Sequence, residues 1–178
     1  MNELEIQLLD WIQSHMANPL CDGFFSAITH LGDGGIFWIA LTIVFLVFPK
    51  TRKYGVVMAI SIALEALCVN VLVKPLVART RPYEIKQGIE LLIQKPIDYS
   101  FPSGHTGVSF AVASALFFSK HKAWIPAFVV AFAIAFSRLY LYVHYPTDVL
   151  FGAIFGVIAG WVGAKVVNRK ERQKHENN

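Results

Sequence analysis

The sequence predicts an all-α integral membrane helical bundle in a single domain, and three observations support this class. Hydrophobic residues make up 55% of the 178 residues and charged residues only 16%, which is low for a soluble domain. The apolar residues form blocks of helical length, and the mean hydropathy is +0.50. Basic residues cluster at the ends of these blocks. A soluble globular enzyme, a disordered tail and a disulfide-stapled secreted module are therefore excluded.

Residues 1–31 predict interfacial helices rather than a span. Apolar side chains recur at helical spacing among acidic and amide residues, for example at Leu4, Leu8 and Ile12, which is typical of an amphipathic helix in the membrane interface. Residues 18–31 mix proline, aspartate and glycine with apolar residues. This second piece is interfacial or re-entrant, and the sequence leaves both interpretations open.

Five apolar blocks follow and predict about five transmembrane helices within residues 35–168. The blocks cover approximately residues 35–48, 54–77, 103–119, 123–141 and 149–167. Because about 20 residues are needed to cross the hydrocarbon core, the first and third blocks need help from flanking residues or a thinner bilayer. Residues 169–178 are predicted to form a cytoplasmic tail.

The distribution of lysine and arginine predicts the orientation of these spans. With five spans, the loops 50–53 and 120–122 and the C-terminal tail share one face, which holds ten of the 16 basic residues. By the positive-inside rule this face is cytoplasmic. We therefore expect a multi-pass protein of the cytoplasmic membrane whose polar site faces the extracytoplasmic side. The net charge of +4 is explained by topology, and no nucleic acid partner is expected.

The polar residues of the predicted outer face gather at four helix ends. They comprise three cations, two histidines, one carboxylate and a Ser-Gly pair: Lys74, Arg81, Ser103, Gly104, His105, Arg138, His144 and Asp148. Taken singly, each has an ordinary explanation, such as an interfacial anchor or a helix cap. Cations seldom collect with paired histidines at a membrane surface unless an anion binds there, so together these residues predict an anion site.

The chemistry of this group favours a phosphate as the anion. Ser103 suits an N-cap and Gly104 permits close backbone approach, so the free amides and the dipole of the helix that begins there would attract a phosphate. The lysine and the two arginines would add charge-assisted hydrogen bonds.

His144 and Asp148 predict an activated nucleophile. Pro146 suits the first position of a helix, which places His144 just outside that helix and Asp148 in its first turn. The carboxylate would then fix the imidazole tautomer and raise the basicity of the other nitrogen. His105 is free to protonate a leaving oxygen. The sequence has no carboxylate cluster for magnesium and only two distant cysteines, so no metal or other cofactor is expected.

These residues resemble the three signature motifs of the type 2 phosphatidic acid phosphatase superfamily. The motifs read Lys74-x6-Arg81-Pro82, Pro102-Ser103-Gly104-His105 and Ser137-Arg138-x5-His144-x3-Asp148, complete and in the family's order. The flanking spans are similar to those of short bacterial membrane members, of the undecaprenyl-diphosphatase and phosphatidylglycerophosphatase types. Soluble vanadium haloperoxidases share the fold and the motifs, but a chain this apolar is a poor match to them.

The resemblance implies a metal-independent lipid-phosphate phosphatase that acts through a phosphohistidine. It makes His144 the nucleophile, Asp148 its orienting partner and His105 the general acid. It assigns phosphate binding to Lys74, Arg81, Ser103, Gly104 and Arg138. The leading substrate is undecaprenyl diphosphate, with phosphatidylglycerophosphate or phosphatidic acid as the alternative. A small transporter or an anion-binding scaffold is the alternative of another class, and the sequence leaves the oligomeric state open.

Other residues carry weaker expectations. Glu65 lies in the middle of the second block, about half a turn from Lys74 in a regular helix, which favours a neutral carboxyl hydrogen-bonded to another helix. Arg79 is a second arginine that could share the role of Arg81. Glycines near one face of the last block predict close helix packing, with dimerisation as the alternative: Gly152, Gly156, Gly160 and Gly163. Four histidines are expected to be bystanders: His15, His30, His121 and His175.

Overall fold

The structure, a computed structural model, describes residues 2–86 and 88–176, and these residues form helices and loops without any strand. The α-helices are α1 Asn2–Met16, α2 Pro19–His30, α3 Ile36–Val47, α4 Arg52–Ala66, α5 Lys74–Val77, α6 Pro82–Ile85, α7 Gly104–Phe118, α8 Trp124–Tyr140 and α9 Pro146–Glu176. A 3-10 turn, Asp33–Gly35, precedes α3, and a π-helical segment, Leu67–Val73, joins α4 to α5. The predicted all-α class is confirmed.

Two segments are long and apolar enough to cross a membrane, Arg52–Ile85, which contains a break after Val77, and Pro146–Arg169. Helices α2 and α3 are bent by 45° at the 3-10 turn and add a third span if they cross as one unit. Helices α7 and α8 are apolar but have only 15 and 17 residues, fewer than the roughly 20 that a straight span needs. The structure therefore supports two or three apolar spans, and the predicted number of five is not confirmed.

The last helix differs from the prediction at its end rather than at its start. Helix α9 begins at Pro146, where the ring fixes a helical φ and the missing N–H costs nothing. It continues to Glu176, so most of the predicted tail, residues 169–178, is helical. Residues 177 and 178 of that tail lie outside the described residues.

The second predicted span contains an irregularity that apolar periodicity did not indicate. The helix widens into the π-helical segment and ends at Val77, because Ala78 adopts a left-handed conformation with φ 47°. Arg81 is extended and precedes the short α6. Lys74 and Arg81 therefore do not share one continuing helix, which was the condition for placing them on one side. Their side chains meet through a different contact, described below.

Helix α7 is the centre of the bundle and packs against α9, α8 and α4. Glycines on α9 permit the closest of these approaches. A Cβ at Gly152 would lie 2.5 Å from the carbonyl oxygen of Ser103, and one at Gly156 would lie 2.9 Å from the amide nitrogen of Ala111. Helix α3 is tied to α7 by the indole N–H of Trp38, which donates to Oγ of Ser109 at 2.8 Å. These glycines thus serve close helix packing, as predicted.

Gly156→Ala is expected to destabilise the bundle, because the new methyl group would meet backbone atoms of α7 that cannot move alone. Overpacking of this kind costs roughly 1–3 kcal/mol. Thermal unfolding in detergent measures the loss. Gly23→Ala on α2 is the matched control, since nothing lies within 4 Å of a Cβ at that position. Equal unfolding temperatures for the two variants would contradict the close contact between α7 and α9.

Candidate active site

The predicted site residues converge on one cavity of about 360 Å³. Six of the eight line it: Lys74, Arg81, Gly104, His105, Arg138 and His144. The other two, Ser103 and Asp148, are fully buried and directly joined, since the Ser103 N–H donates to the Asp148 carbonyl at 3.0 Å. The structure therefore brings together side chains from four separate parts of the chain, as the anion-site prediction requires.

The start of α7 forms one wall of the cavity. Ser103 is its N-cap, and its Oγ accepts hydrogen bonds from the backbone N–H of Thr106 at 3.5 Å and from the Thr106 hydroxyl at 3.0 Å. The next residue, Gly104, lies close to Lys74: a Cβ there would be 3.9 Å from the Lys74 Nζ. A glycine at this position keeps the space open between the first amides of α7 and the ammonium group.

Three buried cations face the cavity, and one of them lacks a full set of partners. The exposed fraction is 7% for Lys74 and 2% for both Arg81 and Arg138. Nη1 of Arg138 donates to the hydroxyl of Thr29 at 2.6 Å, but its Nε has no hydrogen-bond partner among the described residues. A buried guanidinium that is only partly satisfied is costly, so the arrangement favours the binding of an anion.

Asp98 is a residue of this cavity that the sequence did not reveal. Its carboxylate accepts from Nζ of Lys74 and, at 2.6 Å, from Nη2 of Arg81. Its carbonyl oxygen accepts from Nε of Arg81 at 2.8 Å. Burial opposes ionisation, but the two cations outweigh it and lower the pKa of Asp98 to about 2, so the group is ionised at neutral pH. Asp98 is therefore paired with two of the three cations that the sequence analysis assigned to phosphate binding.

His144 is 1% exposed, and its two ring nitrogens face different partners. Nε2 lies 3.3 Å from Nη1 of Arg81. Because a guanidinium can only donate, this contact requires a lone pair on Nε2 and leaves the proton on Nδ1. Burial and then the neighbouring cations hold the pKa of His144 well below its usual range, so the ring is neutral. The lone pair of a neutral imidazole thus faces the cations of the cavity.

Asp148 lies in the first turn of α9, behind His144, as the Pro146 argument predicted. Its Oδ2 is 3.5 Å from Nδ1 of His144, which is longer than a good hydrogen bond. The same oxygen accepts from the Ser100 hydroxyl at 2.5 Å and from the Tyr145 N–H at 2.9 Å. These donors hold the carboxylate beside the imidazole edge that carries the proton.

Arg79 does not line the cavity, contrary to the expectation that it shares the role of Arg81. It lies behind Asp148, donating from Nη1 to Oδ1 of that residue at 2.5 Å and from Nη2 to Oε2 of Glu5 at 2.6 Å. Glu5 also accepts the backbone N–H of Thr147 at 3.0 Å, in the first turn of α9. Helix α1 is therefore joined to the rear of the site.

His105 is held from the segment between α2 and α3. Its Nε2 lies 2.9 Å from Oδ1 of Asp33, and Oδ2 of Asp33 lies 2.6 Å from Nδ1 of His30. His30 lines the same cavity, and its expected status as a bystander stays a prediction. The side chain of His175, another expected bystander, lies outside the described residues.

Glu65 is buried as predicted, but its Oε1 has no hydrogen-bond partner among the described residues. The expected hydrogen bond to another helix is therefore absent at this oxygen, which packs against Gly107 of α7 instead. Glu65 and Lys74 line a second cavity of about 320 Å³, which shares several wall residues with the first. They share a wall because the π-helical segment between them turns less per residue than an α-helix does.

Asp98→Asn is expected to strengthen phosphate binding, because it removes a negative charge from between two cations that would contact the phosphate. One unit charge about 4 Å away is worth about 1 kcal/mol in water and more at lower dielectric constants, and Asp98 is half exposed, so we expect at least roughly a fivefold gain in affinity. Titration of the unfolding temperature with inorganic phosphate measures this gain. Glu90→Gln in the same loop is the control, since Glu90 does not line the cavity. Weaker phosphate binding by the Asp98 variant would show that Asp98 orders the cations rather than competing for them.

The sequence is similar to one protein family and to several named phosphatases. The profile of the PAP2 superfamily matches residues 50–172. The chain is 37% identical over 120 residues to the undecaprenyl-diphosphatase of Sulfolobus acidocaldarius. That alignment covers 67% of this chain and 58% of the Sulfolobus protein. It is 30% identical over 176 residues to the lipid A 4'-phosphatase of Bacteroides thetaiotaomicron, in an alignment that covers 91% of this chain and 76% of the Bacteroides protein.

Two solved structures share the fold. The crystal structure of Aquifex aeolicus LpxE superposes with a TM-score of 0.78 and 30% identity, over 91% of this chain and 95% of that chain. The transmembrane PAP2-type phosphatidylglycerolphosphate phosphatase of Bacillus subtilis superposes with a TM-score of 0.75 and 26% identity, over 95% and 86% of the two chains. The enzyme class predicted from the sequence, a membrane lipid phosphatase, is the class of these relatives. The family identified from the three motifs is thereby confirmed: this chain belongs to the PAP2 superfamily.

Proposed function

We propose that the chain is a membrane phosphatase that hydrolyses a lipid phosphate through a phosphohistidine and without a metal ion. One observation carries this proposal: the Nε2 lone pair of a buried, neutral His144 lies 3.3 Å from a guanidinium that also faces the cavity. A phosphate bound by that guanidinium would present its phosphorus to the lone pair.

The proposed reaction begins with attack by Nε2 of His144 on the phosphorus. The proton on Nδ1 faces the Asp148 carboxylate, which stabilises the positive charge that the ring gains. The P–O bond to the leaving group breaks as His105 gives its proton to the leaving oxygen. In the second step His105 accepts a proton from water, and the resulting hydroxide displaces the phosphate from His144.

The proposed phosphate site neutralises the phosphoryl charge with groups of the protein itself. Lys74, Arg81 and Arg138 contribute three buried cations, and the first free amides of α7, after Ser103 and Gly104, point toward an anion at the helix start. Among the described residues, no group of three or more His, Cys, Asp or Glu side chains is placed to hold a metal ion. The proposed mechanism accordingly assigns no step to a metal or another cofactor.

The substrate that we propose is undecaprenyl diphosphate, cleaved to undecaprenyl phosphate. The Sulfolobus relative carries the name undecaprenyl-diphosphatase. The cavity wall also contains Lys95, a further positive charge besides the three buried cations, which a second phosphate would need. A phosphate leaving group is less basic than an alkoxide, which lowers the barrier for attack. Phosphatidylglycerophosphate or phosphatidic acid is the second candidate, supported by the likeness to the Bacillus subtilis phosphatase.

Purified full-length protein is expected to release phosphate from lipid phosphates in the presence of EDTA and to be inhibited by orthovanadate. His144→Ala should reduce turnover to background while leaving the protein folded, because it removes the nucleophile and only one side-chain hydrogen bond, the 3.3 Å contact with Arg81. Released phosphate and a denaturation-stable label from a radioactive substrate are the measurements. Activity lost on chelation and restored by magnesium would contradict the mechanism.

The same assay separates the two candidate substrates. In matched mixed micelles we expect a higher kcat/KM for undecaprenyl diphosphate than for phosphatidylglycerophosphate or phosphatidic acid. A tenfold preference for phosphatidylglycerophosphate, equivalent to about 1.4 kcal/mol of transition-state discrimination, would reject the carrier-lipid substrate and leave the phosphatase proposal intact.

We also propose that the site faces the extracytoplasmic side of the cytoplasmic membrane, from the asymmetry of basic residues. In a background without native cysteines, Glu90→Cys is expected to react with an impermeant maleimide on intact cells. Thr51→Cys is expected to react only after the membrane is opened. The opposite pattern would invert the topology and place the substrate in the inner leaflet.

A further inference from the structure

We propose that Asp33 is the positioning residue of the general acid, holding His105 through Nε2 so that Nδ1 serves the leaving oxygen. This inference rests on the proposed function, because it concerns how the second histidine of that mechanism is oriented. Neither residue 33 nor its neighbours belong to the three sequence motifs, which begin at Lys74.

The first support is a hydrogen-bonded chain with three members. Oδ1 of Asp33 lies 2.9 Å from Nε2 of His105, and Oδ2 lies 2.6 Å from Nδ1 of His30. The side chain of His105 is 20% exposed, while that of His30 is 61% exposed. Both carboxylate oxygens are thus engaged, which fixes the plane of the carboxylate and, with it, the direction of the His105 ring.

The second support is independent of these hydrogen bonds and comes from packing. A Cβ on Gly32 would lie 3.1 Å from Cγ of His105 and closer still to its Cδ2, so the ring occupies the space where a side chain would be. Gly34 and Gly35 adopt left-handed φ values of 55° and 69°, which turn the chain sharply after Asp33. The segment 32–35 therefore contacts the imidazole of His105 at two places: the backbone of Gly32 packs against its carbon edge, and the Asp33 carboxylate lies beside Nε2.

The third support is electrostatic. Asp33 lines the same cavity as Lys74, Arg81 and Arg138, where a bare carboxylate would repel an incoming phosphate. The repulsion is offset if the carboxylate is paired with a protonated imidazole, since the pair is then neutral. A carboxylate in this place opposes the effects of burial and of Arg138 on His105, so it makes the imidazolium form, which a general acid needs, easier to reach.

The geometry also assigns the nitrogen that transfers the proton. Nε2 of His105 keeps its proton, which is donated to Asp33 throughout. In the first step the Nδ1–H bond breaks, an O–H bond forms on the leaving group, and the electrons of the P–O bond stay on that oxygen. In the second step Nδ1 takes a proton from the attacking water, so the acid returns to its starting state without an external proton donor.

The test compares Asp33→Asn with wild type on two phosphates whose leaving groups differ in basicity. An amide at this position cannot stabilise an imidazolium, so kcat for phosphatidic acid is expected to fall about tenfold to a hundredfold, a part of the roughly 10²–10⁴ that a general acid supplies. For p-nitrophenyl phosphate, whose leaving group needs little protonation, the expected loss is below about threefold. Asp22→Asn is the matched control: Asp22 accepts from the Tyr140 hydroxyl at 2.5 Å, away from the cavity, and its activities should be unchanged.

A double-mutant cycle supplies a readout that a purely structural role would not give. Because Asp33 acts through His105, Asp33→Asn should cause no further loss in a His105→Ala background. Equal losses on both phosphates, no loss on phosphatidic acid, or additive losses in the cycle would each overturn the inference. Failure of wild type to hydrolyse these two phosphates and undecaprenyl diphosphate as well would instead reject the proposed function.

A second variant covers the case in which Asp33→Asn does not fold. Gly32→Ala keeps every charge but pushes a methyl group against the His105 ring. It is expected to show the same selective loss on phosphatidic acid, with p-nitrophenyl phosphate hydrolysis largely retained. Unchanged hydrolysis of both phosphates by the folded variant would overturn the positioning role of the segment 32–35.

Discussion

The buried carboxylate of Asp148 is the group on which the rest of the site depends. It is fully buried, and a carboxylate in such a place must be met by several donors because its desolvation is costly. Arg79, Ser100 and the Tyr145 N–H supply them, and each comes from a different part of the chain. Its own carbonyl receives the N–H of Ser103. One residue therefore joins the start of α9, the loop after α5, the segment before α7 and the N-cap itself.

This arrangement sets the polarity of His144. Behind the ring, the cation of Arg79 lies between the carboxylates of Asp148 and Glu5 and over the face of Tyr145, 3.8 Å from its centroid. In front of the ring, Arg81 presents a guanidinium to Nε2. The proton is drawn toward the carboxylate and the lone pair toward the cations. Carboxylates behind the ring and cations in front of it thus give a neutral imidazole whose lone pair faces a cation-lined cavity.

The sequence could predict those parts of the site that depend only on residues close to one another in the chain. The N-cap at Ser103, the start of α9 at Pro146 and the place of Asp148 in its first turn follow from local rules, and the structure agrees with each. The carboxylates that complete the site escaped prediction because their partners are distant. Asp98 contacts a residue 24 positions away, Asp33 one 72 positions away, and Glu5 one 74 positions away. An isolated aspartate or glutamate in a loop or a terminal helix carries no periodic signal of such a contact.

The π-helical segment shows a second limit of sequence reasoning. The run LCVNVLV is apolar and fits a regular transmembrane helix, and nothing in its composition indicates a wider turn. Yet the wider turn decides which side chains share a wall, because it brings Glu65 round to the side of Lys74. Angular positions read from a 3.6-residue period are reliable only while the hydrogen-bond ladder stays regular. Here the departure lies immediately before the first cation of the site.

The shortness of α7 connects this local chemistry to the membrane. At 1.5 Å per residue its 15 residues span about 22 Å, less than the roughly 30 Å of a hydrocarbon core. In the topology that we propose, its end near Lys120 lies at the cytoplasmic boundary, so Gly104 and the phosphate cavity lie several ångströms below the outer boundary. Charges interact more strongly at that depth than at the surface, which makes Asp98 an effective counter-ion for Lys74 and Arg81. A lipid phosphate would reach Lys74 and Arg81 if its headgroup moved a few ångströms into the membrane while its chain stayed in the bilayer. It would then replace Asp98 as the counter-ion of these two cations.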